Sequence, residues 1–125
     1  MNYCNKITAQ ALSSNKNDYI TYYKYIPKTE IKAIVQISHG MCEHIGRYDD
    51  FANYLTKYGI LVCGNDHLGH GNSVKSKEDY GYFGREHGAY TLVRDQYVIT
   101  KLMKNEYPDI PYVLFGHSMG SFVAR

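Results

Sequence analysis

The period of the hydrophobic positions changes several times along the chain, and each change marks an element. Residues 19–26, Tyr-Ile-Thr-Tyr-Tyr-Lys-Tyr-Ile, are rich in aromatic and β-branched side chains and follow the polar run Ser13-Ser14-Asn15-Lys16-Asn17-Asp18. That composition predicts a strand after a turn. Pro27-Lys28-Thr29-Glu30 is a tight connection into a second apolar stretch, residues 31–38, and the two stretches are expected to pair as a hairpin. Beyond them Tyr48, Phe51, Ala52, Leu55 and Tyr58 fall at helical spacing. Asp49 and Asp50 stand in the first turn and Gly59 where a C′ glycine belongs. Ile60-Leu61-Val62-Cys63 is a short continuous apolar run, the pattern of a strand covered on both faces of a parallel sheet. A glycine-rich polar loop through Gly88 leads to a second helix from about Tyr90 to Tyr107, with Leu92, Ile99, Leu102 and Met103 as its buried stripe. Pro111-Tyr112-Val113-Leu114-Phe115 closes the series as another strand. Strand, helix, strand, helix, strand is the alternation of crossovers on a mostly parallel sheet. No repeat, low-complexity tract or linker divides residues 1–125.

Composition narrows the picture. Hydrophobic content of 44% with 14% aromatic supports a packed core and excludes disorder as the main state. A net charge of +2 gives no electrostatic footprint for nucleic acid or an anionic membrane. Three cysteines, Cys4, Cys42 and Cys63, lack the spacing of a disulfide framework or a zinc site and fit a reducing compartment. No apolar run resembles a signal peptide or a membrane span, so a cytoplasmic protein without stable membrane insertion is expected.

The chemistry concentrates at the last predicted strand. Gly116-His117-Ser118-Met119-Gly120 lies between an apolar strand and the start of a helix, the setting of a nucleophile elbow. Such a turn pushes the Ser118 hydroxyl out at the carboxyl end of the strand, with the Met119 N–H at a helix N-terminus where negative charge is favoured. His117 is the neighbour of Ser118, but adjacent side chains on such a turn diverge, so it is read as a packed elbow residue. His39-Gly40-Met41 directly follows the strand ending at Ser38, with His39 read as a buried side chain that orders the loop. Asp66, His67 and His70 have metal-binding side chains, but no regular element aims them at one point. Asp66 and Ser73 are instead expected to hydrogen-bond backbone amides, and no metal site is expected there.

His39-Gly40-Met41-Cys42-Glu43-His44 with Gly46-Arg47-Tyr48, Asp66-His67-Leu68-Gly69-His70-Gly71-Asn72-Ser73, and Gly116-His117-Ser118-Met119-Gly120 together resemble the monoacylglycerol lipase and lysophospholipase branch of the α/β-hydrolase superfamily, which is serine aminopeptidase S33-like. The resemblance implies a serine carboxylester hydrolase acting through an acyl-serine on a small-molecule ester, monoacylglycerol or lysophospholipid, without metal or organic cofactor. Ser118 matches the nucleophile, and Met41 and Met119 match the backbone donors of the oxyanion hole. Ser121 stands where this branch commonly has a second glycine after the elbow. Relatives carry the triad acid, the triad histidine and the cap after the serine, whereas this chain runs only to Arg125. The expected fold is therefore the amino-terminal half of an α/β hydrolase, truncated just after the elbow and inactive alone. Two alternatives stand beside it. One is a proline iminopeptidase-like peptidase, whose loop typically reads His-Gly-Gly-Pro-Gly, unlike His39-Gly40-Met41-Cys42-Glu43 here. The other is a non-catalytic remnant of the same fold.

Overall fold

The computed structural model describes residues 4–14, 16, 18–39, 45–66 and 88–116. Five described strands form one sheet in the order β1-β2-β4-β3-β5. β1 (Cys4–Leu12) and β2 (Tyr19–Pro27) are an antiparallel hairpin with Cys4 opposite Pro27 and Leu12 opposite Tyr19. β2 also pairs antiparallel with β4 (Ile60–Asn65), and β4 lies parallel to β3 (Ala33–Ser38). β3 in turn lies parallel to β5 (Tyr112–Gly116).

The expected hairpin between residues 19–26 and 31–38 does not form, because β4 is inserted between them. Leu61, Val62 and Cys63 are all fully buried, and a strand apolar on both faces reaches that state only with neighbours on both sides. The hairpin is instead made by β1, whose polar Asn5, Lys6 and Thr8 fall on both of its faces and hide a strand from a reading based on apolar periodicity. Its turn closes with Ser13 N–H donating to Asp18 O at 2.8 Å and Lys16 at φ 67°.

Side-chain alternation sends the two sheet faces to different helices. On one face Tyr23, Tyr25, Ile37, Val62 and Cys4 bury against Ile45 and Ala52, that is, against a 3-10 turn (Ile45–Tyr48) and α1 (Asp49–Thr56). On the other, Ile20, Ile34, Leu61 and Cys63 bury against Ile99 and Met103 of α2 (Gly88–Glu106). Gly59 ends the α1 segment at φ 81°, with a carbonyl so close that an added Cβ would sit 2.8 Å from Glu30 O. The stripe expected on α2 is met at Ile99 and Met103. Leu102 departs from it at 41% exposure, and Asp95 and Gln96 occupy buried positions instead. Leu92's side chain lies outside the described residues. Asp95 is a polar latch: its carboxylate accepts Ser13 Oγ at 2.8 and 3.0 Å and Ser14 N–H at 2.7 Å, tying α2 to the β1–β2 turn. At the other end of α2, Glu106 pairs with Lys24 of β2 at 2.8 Å.

Candidate active site

Three parallel strands deliver the chain to one end of the sheet. Ile37 pairs with Gly64 and Ser38 with Gly116, so the carboxyl ends of β3, β4 and β5 lie side by side. That end of a parallel sheet is where open α/β folds place ligands. Ser38, His39 and Asp66 are all buried there. His39 thus has the burial expected of a loop-ordering histidine. Ser118, Met119 and Met41 themselves lie outside the described residues, as do His117, Gly40, His67, His70 and Ser73. Gly116, two positions before Ser118, and Ser38, three before Met41, are direct register partners.

Asp66 is the best-defined polar group of this end. Its own N–H donates to Thr21 O at 2.9 Å, continuing the β2–β4 pairing one residue past β4. Oδ1 accepts the Ile45 N–H at 2.8 Å, and Oδ2 accepts the Tyr23 hydroxyl at 2.7 Å. The expected bond from Asp66 to a backbone amide is present. Its partner Ile45 and the supporting Tyr23 carry no local sequence signal, since both are brought by other elements. Two residues along the same face of β2, the Tyr25 hydroxyl donates to Asp49 Oδ1 at the start of α1. Lys6 of β1 pairs with that same oxygen at 3.0 Å, its ammonium 5.2 Å and 5.3 Å from the Tyr23 and Tyr25 ring centres. Burial, reinforced by the Asp49 carboxylate, pushes the Tyr25 phenol up, which keeps it a donor. Tyr23, through Asp66, and Tyr25, through Asp49, therefore hold the segment that begins at Ile45.

On the opposite face Gln36 of β3 organises a second polar cluster. Its Nε2 donates to Gln96 O at 3.0 Å, and its Oε1 accepts Thr100 Oγ1 at 2.6 Å and the Tyr112 hydroxyl. The Tyr112 hydroxyl also lies 3.7 Å from Cys63 Sγ. Burial pushes the Cys63 thiol up to about 12, so this cysteine stays protonated and unreactive. The cluster ties β5 to β3 and α2 four residues before Gly116. Among the described residues no group of three or more His, Cys, Asp or Glu is placed to hold a metal ion.

The serine aminopeptidase S33 family matches residues 29–125. A monoglyceride lipase homolog of Monkeypox virus is 44% identical over 110 residues, covering 86% of this chain and 37% of that protein. Mouse monoglyceride lipase is 36% identical over 106 residues, 85% of this chain and 32% of the enzyme. The chain thus spans about a third of the length of these two relatives. Protein K6 of vaccinia virus is 44% identical over 84 residues, which cover 67% of this chain and 100% of that protein. Among solved structures, a thermostable carboxyl esterase from Bacillus coagulans superposes with a TM-score of 0.88 at 34% identity, over 95% of this chain and 38% of that one. The strand order, the parallel β4-β3-β5 core and these matches agree: the chain belongs to the serine aminopeptidase S33 family, on its monoglyceride lipase-like branch, with the fold of the amino-terminal portion of an α/β hydrolase.

Proposed function

We propose that this chain contributes the nucleophile and both oxyanion donors of a serine carboxylester hydrolase that cleaves monoacyl lipid esters. The observation that carries this reading is the Ser38–Gly116 register pair, from which the His39-Gly40-Met41 and Gly116-His117-Ser118-Met119-Gly120 segments leave adjacent strands at the same sheet end. In the reaction Ser118 Oγ bonds to the ester carbonyl carbon as its proton passes to a general base. The oxyanion that forms is held by the N–H groups of Met41 and Met119. The alcohol leaves with a proton from that base, and water then attacks the acyl-serine to release the fatty acid and restore the hydroxyl. One backbone donor of this kind contributes roughly 3 kcal/mol to transition-state stabilisation. The general base and its acid follow the serine in this architecture, so a polypeptide of these 125 residues alone is inactive.

The names of the relatives favour a glyceride ester as substrate, while the family description names an aminopeptidase. The His39-Gly40-Met41-Cys42-Glu43 sequence supports the ester. Cys4 and Cys63 are buried and in no disulfide among the described residues, which is compatible with a cytoplasmic, reducing location, and no helix among the described residues is long and apolar enough to cross a membrane. Hydrolysis of monoacylglycerol, lysophospholipid and an amino-terminal proline peptide by the full-length protein, each repeated with Ser118→Ala, tests the reading. Ester cleavage lost in the variant is expected. Preferential cleavage of the peptide would replace the substrate class.

A further inference from the structure

β1 is the outermost strand of the described sheet, and among the described strands it pairs with β2 alone. Its register with β2 runs unbroken through all nine residues, and no proline interrupts it. Successive residues of a paired strand turn their backbone N–H and C=O groups to opposite sides. Ser13 N–H donates to Asp18 O one step past the Leu12–Tyr19 pair, so Ile7, Ala9 and Ala11 turn theirs toward β2. Thr21 gives the same answer from the other strand. Its carbonyl accepts the Asp66 N–H on the β4 side, so its β1 partner Gln10 faces away from β2. Lys6, Thr8 and Gln10 therefore present their N–H and C=O groups at the outer edge, where no other described strand takes them. Folded proteins usually blunt such an edge with charge, proline or a bulge. Here Lys6 is the only charged residue of the nine, and Ile7 and Leu12 are 41% and 47% exposed.

We propose that β1 is a self-pairing edge: two copies of this protein join their β1 strands antiparallel about a two-fold axis at Thr8, so that one sheet continues through both. The register follows from the backbone and from charge. Only even-numbered residues face outward, so the hydrogen-bonded pairs across the axis join even positions. Full overlap of the nine residues sets Thr8 opposite Thr8 of the other copy, Lys6 opposite Gln10 and Leu12 opposite Cys4. A two-fold axis at Lys6 would instead bring two ammonium groups face to face, which is unfavourable. In the full-overlap register Ile7 comes opposite Ala9 of the other copy, at the closer spacing of a pair without mutual hydrogen bonds, and its side chain loses exposure. Lys6 meanwhile keeps the Asp49 carboxylate of its own copy at 3.0 Å, so its charge stays compensated at the junction. A two-fold interface requires a patch that complements itself, and in this register β1 does so along its whole length. The proposal is independent of the reaction assigned to Ser118.

The test uses the full-length protein in sedimentation and light-scattering measurements over a series of concentrations. A dimer in equilibrium with monomer is expected. Thr8→Pro removes the N–H that each copy gives at the axis and leaves the β2 ladder intact, since that N–H faces outward. It is expected to raise the dissociation constant by about tenfold or more, through the loss of two hydrogen bonds. Should Thr8→Pro fail to fold, a charge exchange at the axis decides. Thr8→Lys and Thr8→Glu each set like charges opposite one another and are expected to weaken the dimer when alone, whereas an equal mixture pairs opposite charges and is expected to restore it. Amide hydrogen exchange locates the contact: Thr8 and Gln10 should exchange more slowly as concentration rises, while Ile7 and Ala9, already held by β2, should not change. A protein that stays monomeric throughout the series overturns the proposal, whether a later segment of the chain or an extended segment of another protein takes the edge. A dimer indifferent to Thr8→Pro, or a mixture of Thr8→Lys and Thr8→Glu no tighter than either alone, overturns it as well. Association of that kind belongs to another surface, such as the exposed β5.

Discussion

Gly64→Ala places a methyl group at the most crowded point of the sheet. The added Cβ would meet Ile37 O at 2.7 Å and Ile45 Cδ1 at 2.8 Å, both shorter than van der Waals contact. Ile37 O belongs to the paired β3 backbone and cannot rotate away, whereas Ile45 Cδ1 is the tip of a side chain. Overpacking of this kind costs roughly 1–3 kcal/mol, and the gain from replacing glycine in a strand returns about 0.5–1 kcal/mol. A net loss of about 1–2 kcal/mol follows, equivalent to about 4–8 °C for a cooperative unit of this size. Ile45→Val removes only the Cδ1 methyl and by itself costs about 0.5–1.5 kcal/mol. In the double variant the side-chain overlap is gone while the carbonyl overlap remains. Thermal and denaturant melts of the four proteins in a double-mutant cycle should therefore show the pair to be less destabilised than the sum of the singles, by about 0.5–1 kcal/mol. A Gly64→Ala protein as stable as wild type, or strict additivity, would refute this account of the β4–Ile45 contact.

Asp95 gives a pH dependence. Burial, with Asp18 adding to it, raises its pKa above the usual carboxylate value despite the opposing hydrogen bonds from Ser14 and Ser13. The folded state then holds the proton more tightly than the unfolded state, so this group's stabilising contribution is complete below the unfolded pKa of about 3.9 and is lost as pH rises through the folded value. Asp95→Asn, which cannot ionise, should gain stability relative to wild type between pH 4 and pH 7, read from melts at both; a relative loss over that range would contradict the burial argument. Gly59→Ala forces a side chain into the left-handed region against Glu30 O and should cost about 1–2 kcal/mol in the same melts, with a neutral result ruling out the tight approach. β5 is the last strand of the described sheet and exposes Val113 at 55%, Leu114 at 39% and Phe115 at 41%. A polypeptide of these 125 residues should accordingly self-associate, and Val113→Lys should reduce the association seen by light scattering; equal scattering by both would argue against the edge as its cause. Because the contribution proposed for Met41 is a backbone N–H, Met41→Ala in the full-length protein should keep kcat for monoacylglycerol within about threefold of wild type, and a larger loss would assign the side chain a part.

Elements with one dominant local signal were readable from sequence. α1, α2 and the apolar β4 and β5 stand where periodicity places them, with ends moved by a few residues, and the left-handed Gly59 follows α1 one position beyond C′, since Lys57 is the C-cap. What failed was pairing. Which strand lies beside β2 is decided by the burial demand of β4, a property of the whole sheet, and not by the short connection at Pro27. β1 was hidden because the polar Asn5, Lys6 and Thr8 fall on both of its faces and break the apolar alternation, and Leu102 was misplaced because α2 buries Asp95, which meets the hairpin turn, and Gln96, whose backbone carbonyl meets Gln36. At the site, glycine-flanked motifs point to Ser118 and Met41, which lie outside the described residues. Tyr23 and Ile45 join Asp66 from sequence distances of 43 and 21 residues, and contacts of that range leave no mark on either segment alone.

The central claim, that Ser118 is the nucleophile of a monoacyl ester hydrolase, is tested most directly by fluorophosphonate labelling of the full-length protein with mass analysis of the modified peptide, alongside monoacylglycerol hydrolysis. A single adduct on Ser118, with both labelling and hydrolysis abolished in Ser118→Ala, is the expected result. Equal labelling of wild type and Ser118→Ala, or hydrolysis that persists in the variant, would contradict it.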